Sequence, residues 1–75
     1  GGAVRSPMPG TVLLVKVAPG ERVARGQPLV IVEAMKMEHV VAAPLDGVVA
    51  ELPVRAGQSV EMDALLAVVK PEEGD

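Results

Sequence analysis

The chain has 75 residues with no aromatic residue and no cysteine. That excludes ring stacking on a base, disulfides, thiol chemistry and cysteine-based zinc sites. One histidine, His39, cannot build a multi-histidine metal centre, and 7 bases against 10 acids, net −3, leave no basic patch for nucleic acid. No apolar run approaches the roughly 20 residues that span a membrane, so neither nucleic acid nor membrane is an expected partner.

What remains is a chain that is 49% hydrophobic, with 15 valines, 8 glycines and 7 prolines. Such a set favours short β-branched strands punctuated by tight turns, in one domain spanning 1–75 with its core at about 4–70. In chain order, strands are predicted at Ala3–Ser6 and Thr11–Val17, ending at Ala18-Pro19-Gly20. A short strand about Val23 follows, then a turn at Arg25-Gly26 and a strand over Pro28–Glu33. The next strands are His39–Ala42, Val48–Val54, a short one near Val60 and Leu65–Val69, with turns at Arg55-Ala56-Gly57 and Met62-Asp63. Pro9, Pro19, Pro28, Pro44 and Pro53 are spread too evenly for long helices. The acidic residues 71–75 read as a frayed tail or linker remnant.

The two halves repeat at an offset of 37 residues. Pro7 falls on Pro44, Gly10 on Gly47, Val12 on Val49, Val17 on Val54, Gly20 on Gly57, Val23 on Val60, Leu29 on Leu66 and Val32 on Val69. Matching glycines mark turns and matching aliphatics mark core positions. The expected fold is all-β: a flattened barrel or sandwich of two four-stranded antiparallel sheets with internal pseudo-twofold symmetry. Gly10, Gly20, Gly47 and Gly57 are expected at positive φ or at close backbone approaches. The alternation along Thr11–Val17 is imperfect, which a bulge explains.

Between the halves runs Glu33-Ala34-Met35-Lys36-Met37-Glu38-His39. Symmetry makes this segment a tight hairpin with Lys36 at its tip. Met35 and Met37, two residues apart, are expected on one strand face as a partly exposed recognition surface, with Lys36 pointing away. Lys16 is expected inside a strand and Lys70 at a strand end. Glu33 and Glu38 read as solvated strand ends, and His39 as a lone histidine without a metal. No nucleophile–base pair or carboxylate cluster is present, so no catalytic residue is assigned.

Glu33-Ala34-Met35-Lys36-Met37 resembles the attachment motif of biotin carboxyl carrier domains, of the biotinyl/lipoyl attachment fold. Ser6-Pro7-Met8-Pro9-Gly10-Thr11, Gly20-Glu21-Arg22-Val23, Gly26-Gln27-Pro28-Leu29 and Ala43-Pro44 with Gly47 and Val49 are similar to that family's strand and turn segments. The resemblance covers residues 4–70. Ala18-Pro19-Gly20-Glu21 leaves no room for the inserted thumb of some bacterial acetyl-CoA carboxylase carriers. Met37-Glu38-His39 looks most like carriers of acyl-CoA carboxylases of the methylcrotonoyl-CoA type, with propionyl-CoA, acetyl/propionyl-CoA and pyruvate carboxylases also open.

The resemblance implies that Lys36 is covalently biotinylated, with Glu33, Ala34, Met35 and Met37 as flanking recognition residues. It implies a non-catalytic carrier domain of a ligase-class carboxylase. ATP, Mg and bicarbonate are used by a partner domain, and no metal is held here. The implied partners are a biotin protein ligase and the biotin carboxylase and carboxyltransferase domains or subunits, and the isolated domain is expected to be monomeric. A bacterial source implies the cytoplasm, a eukaryotic one the mitochondrial matrix. Two alternatives are a lipoyl carrier, which normally has Asp-Lys where this chain has Met35-Lys36, and an unmodified lipoyl-like protein-interaction module.

Overall fold

The computed structural model describes residues 1–72 and is built from strands alone. They are β1 Ala3–Arg5, β2 Gly10–Val15, β3 Arg22–Val23, β4 Pro28–Ala34, β5 Met37–Ala42, β6 Gly47–Glu51, β7 Ser59–Val60 and β8 Leu65–Lys70. Their order is β1-β8-β6-β3 in the first sheet and β5-β4-β2-β7 in the second, with every pairing antiparallel. The all-β, two-sheet architecture expected from the sequence is therefore the one observed. Neither sheet belongs to one half of the chain: each takes two strands from the first half and two from the second.

The 37-residue offset governs the register as well as the sequence. Val12↔Val32 in the second sheet becomes Val49↔Val69 in the first, and Leu14↔Ile31 becomes Glu51↔Val68. Ile31↔Val40 becomes Val68↔Ala3. A bulge between Val12 and Leu14 recurs between Val49 and Glu51. It is the cause of the imperfect alternation in β2, because one extra residue resets which face follows.

The loops obey the same exchange. Gly20 N–H donates to the Val49 carbonyl at 2.7 Å, and Gly57 N–H donates to the Val12 carbonyl at 2.7 Å. Gly20 and Gly57 have φ of 89° and 92°, which glycine reaches without a Cβ penalty. Gly10 and Gly47 are instead the first residues of β2 and β6. A Cβ at Gly10 would meet the Glu33 carbonyl oxygen at 2.5 Å, and one at Gly47 the Lys70 oxygen at 2.1 Å. Close approach of neighbouring backbone is what requires glycine there.

The core is one aliphatic layer drawn from both halves. Val12, Val49, Val17, Val54, Val23, Val60, Leu29 and Leu66 all belong to it. Two of them lie outside the strands expected to hold them. β2 ends at Val15 and β6 at Glu51, so Val17 and Val54 are buried from the connecting loops. Pro53 has no N–H to donate to a ladder, which ends β6, and Pro19 follows Val17 closely. Lys16 likewise lies beyond β2 and is exposed, rather than inside a strand, although its N–H still donates to the Leu29 carbonyl at 2.8 Å. Ser6 is the one buried polar side chain among the described residues, and its hydroxyl donates to the Met8 carbonyl at 2.6 Å. Residues 73–75 of the expected tail lie outside the described residues; Glu72 makes an exposed ion pair with Arg22.

Leu29 and Leu66 occupy equivalent positions and are both fully buried. Leu29→Ala and Leu66→Ala should therefore each destabilise the domain, by about 2–5 kcal/mol, through lost burial and the cavity left behind. Denaturant titration should show costs of similar size for the two variants, because the twofold places both in one layer.

Candidate functional site: the turn between β4 and β5

β4 and β5 form a hairpin whose six register pairs run from Pro28↔Ala42 to Ala34↔Met37. Only Met35 and Lys36 lie between the strands, at φ of 53° and 64°. Positive φ at both central residues is the signature of a type I′ turn, whose twist matches that of the strands it joins. Asn-Gly is the usual occupant of such a turn. A side chain in this region costs about 1–2 kcal/mol per residue, so the turn is strained twice. The ladder holds it from one side. From below it is held by Ala34 and Val32, which are buried. Gly10 is part of the same support, since a Cβ there would press on the Glu33 oxygen, Val32 and Ala34 together.

The motif residues are distributed by this geometry. Lys36 is exposed at the tip, Met35 beside it is 88% exposed, and Met37 as the first residue of β5 is 62% exposed. The two methionines are thus freely solvated. They do not share a strand face as the sequence reading expected, because Met35 belongs to the turn and not to a strand. Ala34 is buried and points into the sandwich, opposite Met37 in register. Glu33 and Glu38 are direct cross-strand neighbours, both exposed, so two like charges stand one step behind the tip. His39 pairs with Val32 in the next row. Among the described residues no ion pair involves Lys36.

Lys16 and Lys70 are exposed as well. Exposure by itself therefore does not single out Lys36; its place in a strained two-residue turn does. Lys70 is the last residue of β8, held in register with Val48. The sequence reading missed two parts of the site: the left-handed Met35-Lys36 pair and the role of Gly10 beneath it. A glycine opening a strand was the available signal for the second.

The hairpin tip lies at the opposite end of the molecule from Gly2 and the close of β8. β2 starts beside the hairpin base, at Thr11↔Glu33. The loop leaving its far end reaches Val49 through Gly20. Val49 pairs with Val69, whose N–H donates to the Gly2 carbonyl at 2.8 Å. An exposed primary amine on a narrow turn, with adaptable thioethers at its sides and no wall around it, suits covalent attachment of an acid-bearing group.

Residues 2–69 match the protein family described as "Biotin-requiring enzyme". The chain belongs to that family. It is 48% identical to the biotin carboxyl carrier protein of acetyl-CoA carboxylase from Solanum lycopersicum, over 92% of this chain and 99% of that one. It is 46% identical to the mitochondrial methylcrotonoyl-CoA carboxylase subunit alpha of Dictyostelium discoideum, over 91% of this chain but only 10% of the relative. The lipoyl domain of the 2-oxoglutarate dehydrogenase complex from Azotobacter vinelandii shares the fold, with a TM-score of 0.83 and 29% identity over 97% of this chain and 100% of that one. The same scaffold thus occurs in biotin-dependent and lipoyl proteins.

Relieving the left-handed strain should be measurable. Met35→Asn should stabilise the domain by roughly 0.5–1 kcal/mol, since asparagine tolerates this region far better than methionine. A shift of the urea midpoint to higher concentration at unchanged slope is the expected result.

Proposed function

We propose that Lys36 carries biotin in amide linkage and that the domain is a biotin carboxyl carrier of a biotin-dependent carboxylase. One observation carries the reading: a lysine displayed on a bare, strained turn at the end remote from Gly2 and the close of β8, in a chain nearly half identical to a biotin carboxyl carrier protein along its length.

The chain's own contribution begins with the Lys36 amine. Its Nζ attacks the acyl carbon of a biotinyl-adenylate, AMP leaves, and the amine loses its proton as the amide forms. The net charge moves from −3 to −4. No neighbouring base or cation on the turn activates the amine, so deprotonation falls to the biotin protein ligase that supplies the adenylate. Met35 and Met37 offer that ligase soft surface on both sides of the tip, and Glu33 and Ala34 set the base on which the turn stands. When bound, biotin supplies a ureido nitrogen that accepts a carboxyl group in one active site and releases it in another. ATP, Mg and bicarbonate belong to the biotin carboxylase partner, and the carboxyl acceptor to the carboxyltransferase. The rigid body holds the tip outward while Gly2 and the close of β8 stay behind it. Tethering then raises the local concentration of the carried group at both sites.

The chain spans a tenth of the methylcrotonoyl-CoA carboxylase subunit it matches, so the acyl-CoA specificity of the whole enzyme is read from likeness alone. A source with mitochondria would place it in the matrix, the Dictyostelium relative being named as a mitochondrial protein; a bacterial source would place it in the cytoplasm.

Treatment with biotin, ATP and a biotin protein ligase should add one biotin, and peptide mapping should place it on Lys36. Lys36→Arg should abolish the mass increase. Biotin found on Lys16 or Lys70, or uptake surviving Lys36→Arg, overturns the assignment.

Met35 separates the biotin from the lipoyl reading. Met35→Asp should lower the rate of biotinylation, because a carboxylate replaces an apolar thioether beside the amine, and should permit lipoate attachment by a lipoate ligase. Undiminished biotin uptake with no lipoate on the variant would remove Met35 as the discriminating residue.

A further inference from the structure

The repeat supplies an internal control for surface positions in the paired strands, since residues 37 places apart there sit in matching register. In the core the counterparts agree in kind: Val12 with Val49, Leu29 with Leu66, Val32 with Val69. On the outer faces the agreement is partial: Ile31 and Val40 have the aliphatic counterparts Val68 and Ala3, whereas Leu14 has Glu51. Ile31 alternates with Val30 and Val32 of the core cluster, so its side chain lies on the outer face of the second sheet, where it is only 9% exposed. Its register partners on either side are Leu14 and Val40. These are 50% and 57% exposed and complete an apolar row across three strands. The row one step nearer the turn is Thr11, Glu33 and Glu38. In the first sheet the apolar row is replaced by Glu51, Val68 and Ala3, and the next row carries Lys70 where the second sheet has Glu33.

The fold therefore tolerates a charge at the Leu14 position and a smaller side chain at the Val40 position, so the full apolar row is not needed to build the sandwich. It occurs only on the sheet that ends in Lys36. We propose that the outer face of the second sheet, centred on Leu14, Ile31 and Val40, is the surface gripped by the enzyme that acylates Lys36. This rests on the reading of Lys36 as the modified residue. The reach of the lysine favours that occupant over the carboxylase active sites. A lysine side chain extends only about 6 Å from its Cα, so an enzyme working on the bare amine must lie against the body behind the turn. Once acylated, the arm is longer and separates the body from whatever site it enters. The complementary surface is apolar at its centre, facing Leu14 and Val40, with basic side chains along the edge that meets Glu33 and Glu38.

The test substitutes the residues that the other half already uses at the same backbone positions. Leu14→Glu copies Glu51, and Val40→Ala copies Ala3. Both variants are assayed with biotin, ATP and biotin protein ligase. The KM for the acceptor protein should rise roughly tenfold or more in Leu14→Glu, and less in Val40→Ala, with kcat little changed. Melting temperatures should match the parent, and Glu51→Ala on the opposite face should leave KM unchanged. Unaltered kcat/KM in both variants, with the parent modified normally at Lys36, overturns the inference. So does normal biotinylation combined with impaired carboxyl transfer, which would assign the face to a carboxylase domain. A parent that takes up no biotin at Lys36 overturns the assignment of the lysine instead.

Discussion

Val12 pairs with Val32 in one sheet, Val49 pairs with Val69 in the other, and all four lie in one buried cluster. Each pair joins strands of the same half, yet the cluster cannot close until both halves are present, because each sheet is completed by strands from the other. Strand β7 of the second half finishes the sheet of β2 and β4, and β3 of the first half finishes that of β6 and β8. The reciprocal bonds from Gly57 to Val12 and from Gly20 to Val49 lock the exchange. With no Phe, Tyr or Trp, no disulfide and no metal-binding cysteine to help, the interdigitated aliphatic layer bears the stability of the domain.

That closure is also what makes the tip rigid. A type I′ turn built from Met and Lys is a poor turn in isolation. It persists because β4 is held on both sides, by β5 through the hairpin ladder and by β2 where Gly10 admits the closest approach. Strain of this kind accumulates where surrounding structure over-determines the backbone. Here its consequence is positional: the lysine stands on a two-residue turn closed by paired strands, at the end away from Gly2.

The symmetry further separates residues that build the domain from residues that use it. Positions alike in the two halves are core and turn positions. Exposed positions that differ, such as Leu14 against Glu51 or Glu33 against Lys70, are free of the packing constraint and open to function, whereas Val30 and Ala67 differ within the core. Gly26 against Asp63 shows the limit of that reasoning. Both sit at positive φ, 87° and 66°, and aspartate is tolerated there at some cost in place of glycine.

Eight strands, the twofold repeat, the aliphatic core pairs and the exposed Lys36 turn were all legible in the sequence. Each rests on local signals: β-branched runs, Gly and Pro punctuation, and a fixed offset between identical residues. The sequence alone also placed Val17 and Val54 in the core, though not their position in loops beyond the strands, since burial follows from side-chain type while strand ends depend on which neighbour offers a ladder partner. Only the tertiary structure decided that the halves exchange strands, that Gly10 and Gly47 serve close backbone contact, and that Met35 stands in the turn rather than on a strand face. Those outcomes depend on backbone groups brought together from residues far apart in the chain, and no side-chain pattern along one segment records which backbone will lie beside it.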